Sequence, residues 1–391
     1  MNKNFSVKVA AMTAAALCGG LLVACTPETI GSDTTETSSS PISEKPTGRP
    51  GEPAPTSSTS ALPATEETPE QEELRAQVAS LMMVGVTSYE DALAKLQQGA
   101  GGIFITSWAD PAILTEPGRD IAALRETVGR DFSVSIDFEG GRVQRHSEIL
   151  GNWPAPREMA ATRTPEEVRA LAAEMGKSLA DHGITVNFAP VVDLDIAELD
   201  VIGDRSFSPD PVVAADYAAA FATGMKDAGV TAVFKHFPGH GQASGDTHTG
   251  FAVTPPIEVI REQDLPPFGR ALTGAPGEVM VGHMVVPGLG DESLPSSLDP
   301  AVYQLLRSGA YPEGVPFNGV AYTDDLSGMA AITDLMSTPE AVAAAIGAGA
   351  DQALWSSDES LEVVIDTVMA AIEAGTISEE QIQESAERVQ V

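Results

Sequence analysis

Cysteine is almost missing from this chain: two stand in 391 residues, Cys18 and Cys25, both near the start. That excludes thiolate metal sites, a cysteine nucleophile and a disulfide framework from the long remainder. Basic residues are scarce as well, 22 Lys and Arg against 56 Asp and Glu, for a net charge of −34. A nucleic acid is a poor partner for such a surface, because phosphate binding rests on clustered Lys and Arg. Polyanionic substrates that need a basic groove are disfavoured for the same reason, and solubility is the plain use of the acidity. The apolar run near the start is short and broken by Thr13 and Gly19-Gly20, which argues against a membrane-spanning helix. No Gly-x-Gly-x-x-Gly follows the first strand-like run, so a dinucleotide fold lacks its fingerprint. Gly239-His240-Gly241 with Gly245 imitates it at the wrong spacing.

What is present divides the chain in three. Lys3 and Lys8 precede an apolar, Ala-rich stretch, and Leu22-Val23-Ala24-Cys25 matches a lipobox. Residues 1–24 therefore read as a signal peptide, with Cys25 as the lipidated residue and a lipid anchor on an extracytoplasmic membrane face. Residues 25–69 are Thr, Ser, Pro and Glu with few large apolar side chains. Such a stretch cannot bury enough surface to offset its ordering entropy and reads as a tether. Residues 70–391 are the folded part, and about 320 residues suits one (β/α)₈ barrel.

Strand-length apolar runs occur at 81–86, 102–106, 132–137, 185–192, 231–236, 278–284, 319–324 and 351–356. Helix-length stretches lie between most of them, among them 165–182, 212–228, 339–348 and 361–374. Thr164-Pro165-Glu166-Glu167 carries a capping Thr, a first-turn Pro and a Glu three residues on. Thr338-Pro339 repeats the first two devices, and Ser378 caps a last helix. Eight strands alternating with helices predict a parallel sheet with right-handed crossovers, closed as a single TIM-type barrel. An open doubly wound sheet is the rival.

Polar residues gather where these strands end: Asp137, Asp193, Lys235 with His236, His283, and Asp324 with Asp325. In a barrel those ends converge on one mouth, where barrel enzymes work. Lys235 to His248 holds three of the six histidines in Pro- and Gly-punctuated chain, the build of a catalytic loop. A carboxylate just past a buried strand, as at Asp324, can attack an anomeric carbon. Asp325 suits a structural role, though periodicity does not separate the two. Asp246 and His248, one residue apart, can point the same way, the carboxylate holding one imidazole nitrogen while the other moves a proton. The same pair also fits a solvent-exposed loop. His236 and His240 have zinc-like spacing only on a helix, and Pro238-Gly239 breaks one, so no metal is expected.

Four blocks in order resemble family 3 glycoside hydrolases, in the branch of NagZ-like β-N-acetylglucosaminidases. They are Ile136-Asp137-Phe138-Glu139-Gly140-Gly141-Arg142-Val143-Gln144-Arg145, Val201 to Phe207, Lys235 to Gly241 with Asp246-Thr247-His248, and Thr323-Asp324-Asp325-Leu326-Ser327. The resemblance implies a retaining exo-β-N-acetylglucosaminidase acting on cell-wall muropeptides with no cofactor; a monomer is the expectation, although the sequence does not encode the oligomeric state. It implies Asp324 as nucleophile and His248 as acid/base oriented by Asp246. Asp137, Arg145, Arg205, Lys235 and His236 are implied as ligands of the terminal sugar. Phe138 stands where the family usually has Gln, and Gly328 lengthens the block after Asp324; neither departure touches the implied acid, base or nucleophile, and both are expected to act on the surroundings of the site and on substrate preference. A phosphorylase and a non-catalytic sugar-binding lipoprotein are the alternatives.

Overall fold

The computed structural model describes residues 68–389. Cys18, Cys25, the leader-like start and nearly all of the Thr/Ser/Pro-rich stretch lie outside the described residues. Eight parallel strands form the frame: β1 Met82–Val86, β2 Gly102–Ile105, β3 Ser133–Ile136, β4 Val186–Asn187, β5 Thr231–Phe237, β6 Glu278–Val281, β7 Ala321–Thr323 and β8 Ala353–Trp355. They pair in sequence order, and β8 also pairs with β1. The ring closes between β7 and β8, where Tyr322 bridges Gln352 and the Thr323 N–H donates to the Gln352 carbonyl at 3.0 Å. The fold is a (β/α)₈ barrel, and the open-sheet rival falls.

Alternation along each strand sorts its side chains into two cores. Met83, Phe104, Val186, Phe188, Val233, Met280, Val320, Tyr322 and Leu354 pack against one another inside the ring. Their neighbours, such as Val84, Ile103, Val134, Phe234, Val279 and Trp355, pack outward against the helices. Apolar on both faces, the strands read as unbroken apolar runs in the sequence. Each fully buried Leu, Ile, Val, Phe or Met contributes about 1.5–3 kcal/mol relative to exposure. Continuing the inward register by two residues leads from Ser135 to Asp137, from Val233 to Lys235 and from Tyr322 to Asp324. Period two thus puts three charged groups directly above an apolar plug.

Helix ends follow the cap chemistry with one correction. Thr164 and Glu167 make a reciprocal capping box at Pro165–Asp181. At Thr338–Ala348 the cap is Ser337 rather than Thr338, because Ser337 is the extended residue whose hydroxyl and N–H both reach Glu340. Thr68 caps Pro69–Ser80 in the same way with Gln71. The fourth strand is also shorter than its apolar run. Its ladder covers only Val186–Asn187, and Pro190 lacks the N–H that pairing would need. After β3 the chain forms a small antiparallel hairpin, Phe138–Gly140 with Val143–Gln144, which carries most of the first of the four blocks.

Candidate active site

A cavity of about 310 Å³ opens at the C-terminal ends of the strands. Asp137, Glu139, Arg145, Arg205, Lys235, His236, His248 and Asp324 line it, over a floor that includes Phe104, Met280 and Leu354. Seven of the eight residues read from the sequence as catalytic or sugar-binding therefore meet around one space. The eighth, Asp246, reaches it through His248.

Lys235 is the centre of the charged floor. Its ammonium lies 2.8 Å from Asp137 and 2.7 Å from Glu139. Arg145 holds the other Asp137 oxygen at 2.7 Å, and Arg205 grips Glu139 with two bonds of 2.8 Å. Burial raises the Asp137 carboxyl's pKa, but Lys235 and Arg145 pull it down further, well below the usual carboxylate range. Glu139 behaves likewise between Arg205 and Lys235. Burial acts against the Lys235 charge, yet the two carboxylates hold the ammonium above its ordinary value. Lys235 has three donors, and the carboxylates take two, which leaves one for a ligand hydroxyl.

Asp324 follows β7, its N–H held by the Val281 carbonyl at 3.0 Å. Burial pushes its pKa up; the pull of His236, His283 and Lys235 outweighs that and keeps it below the ordinary value. His236 turns its Nε2 toward Asp324 at 3.9 Å, while its Nδ1 donates to Asp193 at 2.6 Å. Buried Asp193 also accepts the His240 N–H at 2.7 Å, so one carboxylate fixes both the imidazole and the loop behind it. His283 links strands β6 and β7: its Nε2 donates to the Asp325 carbonyl at 3.1 Å, and its Nδ1 faces the Ser297 hydroxyl at 2.7 Å. Burial lowers the His283 pKa, against the opposing pull of the Asp324 carboxylate.

The neighbouring carboxylates have different tasks. Asp325 is spent on structure, accepting from the Ser327 N–H and hydroxyl, the Gly328 N–H and Ser356. Asp324 accepts the Asp325 N–H at 2.9 Å and faces the cavity. On the rim, His248 is half exposed and its Nδ1 lies 2.7 Å from Asp246, whose carboxylate also takes the His248 N–H at 2.9 Å. That contact commits Nδ1 and leaves Nε2 for proton transfer. The Ala331 N–H ties this loop to the segment after β7 through the Thr247 carbonyl at 3.1 Å.

One site residue and one pairing escaped the sequence reading. Glu139 stands two residues after Asp137, on the same side of an extended chain, and that parity was the available signal. Asp193 was visible as a strand-end carboxylate, but its pairing with His236 across 43 positions was not. Phe138 is buried, does not line the cavity, and is bonded through its backbone to Asn187. Gly328 does line the cavity. Among the described residues no cluster of three or more His, Cys, Asp or Glu is arranged to hold a metal.

Residues 73–391 match the model of the glycosyl hydrolase family 3 N terminal domain. Beta-hexosaminidase LpqI of Mycobacterium tuberculosis is 45% identical over 323 residues, covering 81% of this chain and 81% of that protein. A crystal structure of a GH3 family glycosyl hydrolase from Mycobacterium smegmatis superposes with a TM-score of 0.77 at 46% identity, over 81% of this chain and 96% of that one. A family 3 beta-N-acetylglucosaminidase from Paenibacillus sp. gives a TM-score of 0.74 at 31% identity, over 81% of this chain and 61% of that one.

Proposed function

Because the chain belongs to glycosyl hydrolase family 3, we propose that it is a retaining exo-β-N-acetylglucosaminidase that releases terminal N-acetylglucosamine from muropeptides or related glycosides. The observation that carries this reading is the ionised, cavity-facing Asp324 beside a floor of charge-paired sugar ligands. Asp324 attacks the anomeric carbon and forms a glycosyl ester. His248, held by Asp246, protonates the leaving oxygen and then takes a proton from the incoming water. Asp137, Arg145, Arg205, Lys235 and His236 bind hydroxyls and the acetamido group, charge-assisted bonds being the strong and directional ones. The enzyme acts as a monomer outside the cytoplasm, anchored by lipid at Cys25 and carried on residues 25–69 as a tether.

The test is nitrophenol release from its N-acetyl-β-glucosaminide. Asp324→Asn is expected to cut turnover by roughly 10⁴-fold or more while thermal unfolding stays unchanged. A 5-fluoro N-acetylglucosaminyl fluoride, which keeps the 2-acetamido group, should trap an ester on Asp324, and a label on any other side chain sinks the nucleophile assignment. His248→Ala should slow poor leaving groups by about 10²–10⁴-fold and spare activated ones. Rates that rise with phosphate would move the reading to phosphorolysis. Cys25→Ser should shift the protein from the membrane fraction to the soluble one.

A further inference from the structure

Large apolar side chains left exposed on this protein are not scattered. Among the described residues nine are more than a third exposed, including Trp108, Ile196, Phe251 and Leu335. All nine fall between a strand's C-terminal end and the first turn of a later helix before the next strand (Leu335 lies beyond the short helix Ala330–Thr333), and so on the mouth side of the barrel. Exposed apolar surface gathered on one face marks an interaction site.

Trp108 is the most exposed of them at 59%, and it alone of the nine lines the catalytic cavity. Its backbone is fixed while its indole is not buried. The Ala109 N–H donates to the Thr106 carbonyl at 3.2 Å, the Asp110 N–H to the Thr87 carbonyl at 2.8 Å, and Thr106 is tied to Val86 and His146. A large flat side chain on a pinned turn costs little entropy to dock against. Trp108 follows β2 and His248 follows β5, three strands further round the ring, so the two enter the mouth from well-separated positions. Both are exposed, whereas Lys235, Glu139 and the apolar floor below are buried.

A leaving group protonated by His248 must lie at this rim. Resting on the glycosidase reading above, the geometry points to an aglycone subsite in which Trp108 stacks on the ring of the second sugar. A pyranose presents C–H groups on its face, and a tryptophan is the largest apolar platform to receive them. The charged floor selects the terminal sugar through its hydroxyls; Trp108 selects for a sugar ring on the departing side.

The test compares two substrates of purified protein. N,N′-diacetylchitobiose places a pyranose at the rim; N-acetyl-β-glucosaminyl fluoride places none. Trp108→Ala is expected to lower the chitobiose-to-fluoride ratio of kcat/KM about tenfold, mainly through KM for chitobiose, and Trp108→Phe to restore most of it. An unchanged ratio in Trp108→Ala, with both substrates still cleaved, overturns the subsite and leaves the glycosidase standing. An Ala effect that Phe does not rescue overturns stacking. Failure of the unaltered protein to cleave either substrate removes the glycosidase reading and the subsite together. Fluorescence gives an independent readout, since Trp355 is fully buried and Trp153 half-buried. Chitobiose bound to Asp324→Asn should protect the accessible emission from acrylamide, and no protection at saturating sugar overturns the proposal.

Discussion

Glu139 keeps two cations side by side. Lys235 and Arg205 repel one another, and the buried carboxylate between them is what makes that arrangement stable. Glu139→Gln removes the charge and keeps the shape. Breaking a buried pair leaves an uncompensated charge, a loss of about 3–5 kcal/mol. The expected outcome is lower stability by urea unfolding and a raised KM, and normal values for both would show that the cluster is held by something else. Asp264 gives the opposite case. It is buried under the histidine loop with one oxygen on Gln242 at 2.6 Å and the other without a partner. Burial raises its pKa to about 7. The folded state therefore binds a proton that the unfolded chain has lost between about pH 4 and pH 7, and stability falls as pH rises through that window. Asp264→Asn should stabilise by up to about 4 kcal/mol at pH 8 and change little at pH 4. Equal effects at both values in calorimetry would refute it. Neither residue announced its role in the sequence: Asp264 lies in an ordinary polar stretch, and only burial makes its charge costly.

The loop from Pro238 to Gly250 is where element-level reasoning succeeded in kind and failed in detail. Its density of His, Asp and Gly marked a working loop, and its two ends were legible as a buried strand and a turn. Its packing was not. Gly239 adopts φ +126, and a side chain there would collide with Asp264. Gly241 has no such backbone need; a Cβ there would press on the Leu194 carbonyl of the loop after β4. The first glycine serves a turn, the second a close approach of two loops. Overpacking of this kind costs typically 1–3 kcal/mol. Gly241→Ala should displace the segment that leads to Asp246 and His248, lowering kcat while the barrel still melts cooperatively. A variant with unaltered kcat would mean the loop reaches its working position independently of Leu194. The same limit explains the fourth strand. Its apolar residues suited a long strand, but ladder length depends on which N–H groups exist, and Pro190 removes one.

At the scale of the molecule, the two ends of the barrel divide the labour. The alternation of apolar runs with capped helices was enough to read eight strands and a parallel sheet. The closed barrel expected from that alternation is the one observed, but the contacts that close it, a bridge between Tyr322 and Gln352 and the hydrogen bonds beside it, are encoded in no pattern. Below that seam, at the end away from the cavity, Asp351 is fully buried. It accepts the Ala321 N–H at 2.7 Å, the Ser385 hydroxyl at 2.9 Å, Arg388 at 3.1 Å and Arg307. One carboxylate thus joins β7, the turn before β8, the helix Pro300–Ser308 and the terminal helix Glu379–Val389. Asp351→Asn keeps the volume and strips the charge that two arginines share. Both arginines are partly exposed, so the loss should fall near the low end for buried pairs, about 3 kcal/mol. That corresponds to a fall in Tm of roughly 5 °C. The cavity lies at the other end of the strands, so kcat/KM measured well below the new Tm should stay within about twofold, an effect under 0.5 kcal/mol. Asp324→Asn should show the mirror image, with Tm kept and turnover lost. If Asp351→Asn instead cut kcat/KM tenfold in a protein still fully folded at the assay temperature, the closing seam would be transmitting strain to the mouth, and the separation of a stabilising end from a catalytic end would fail for this barrel.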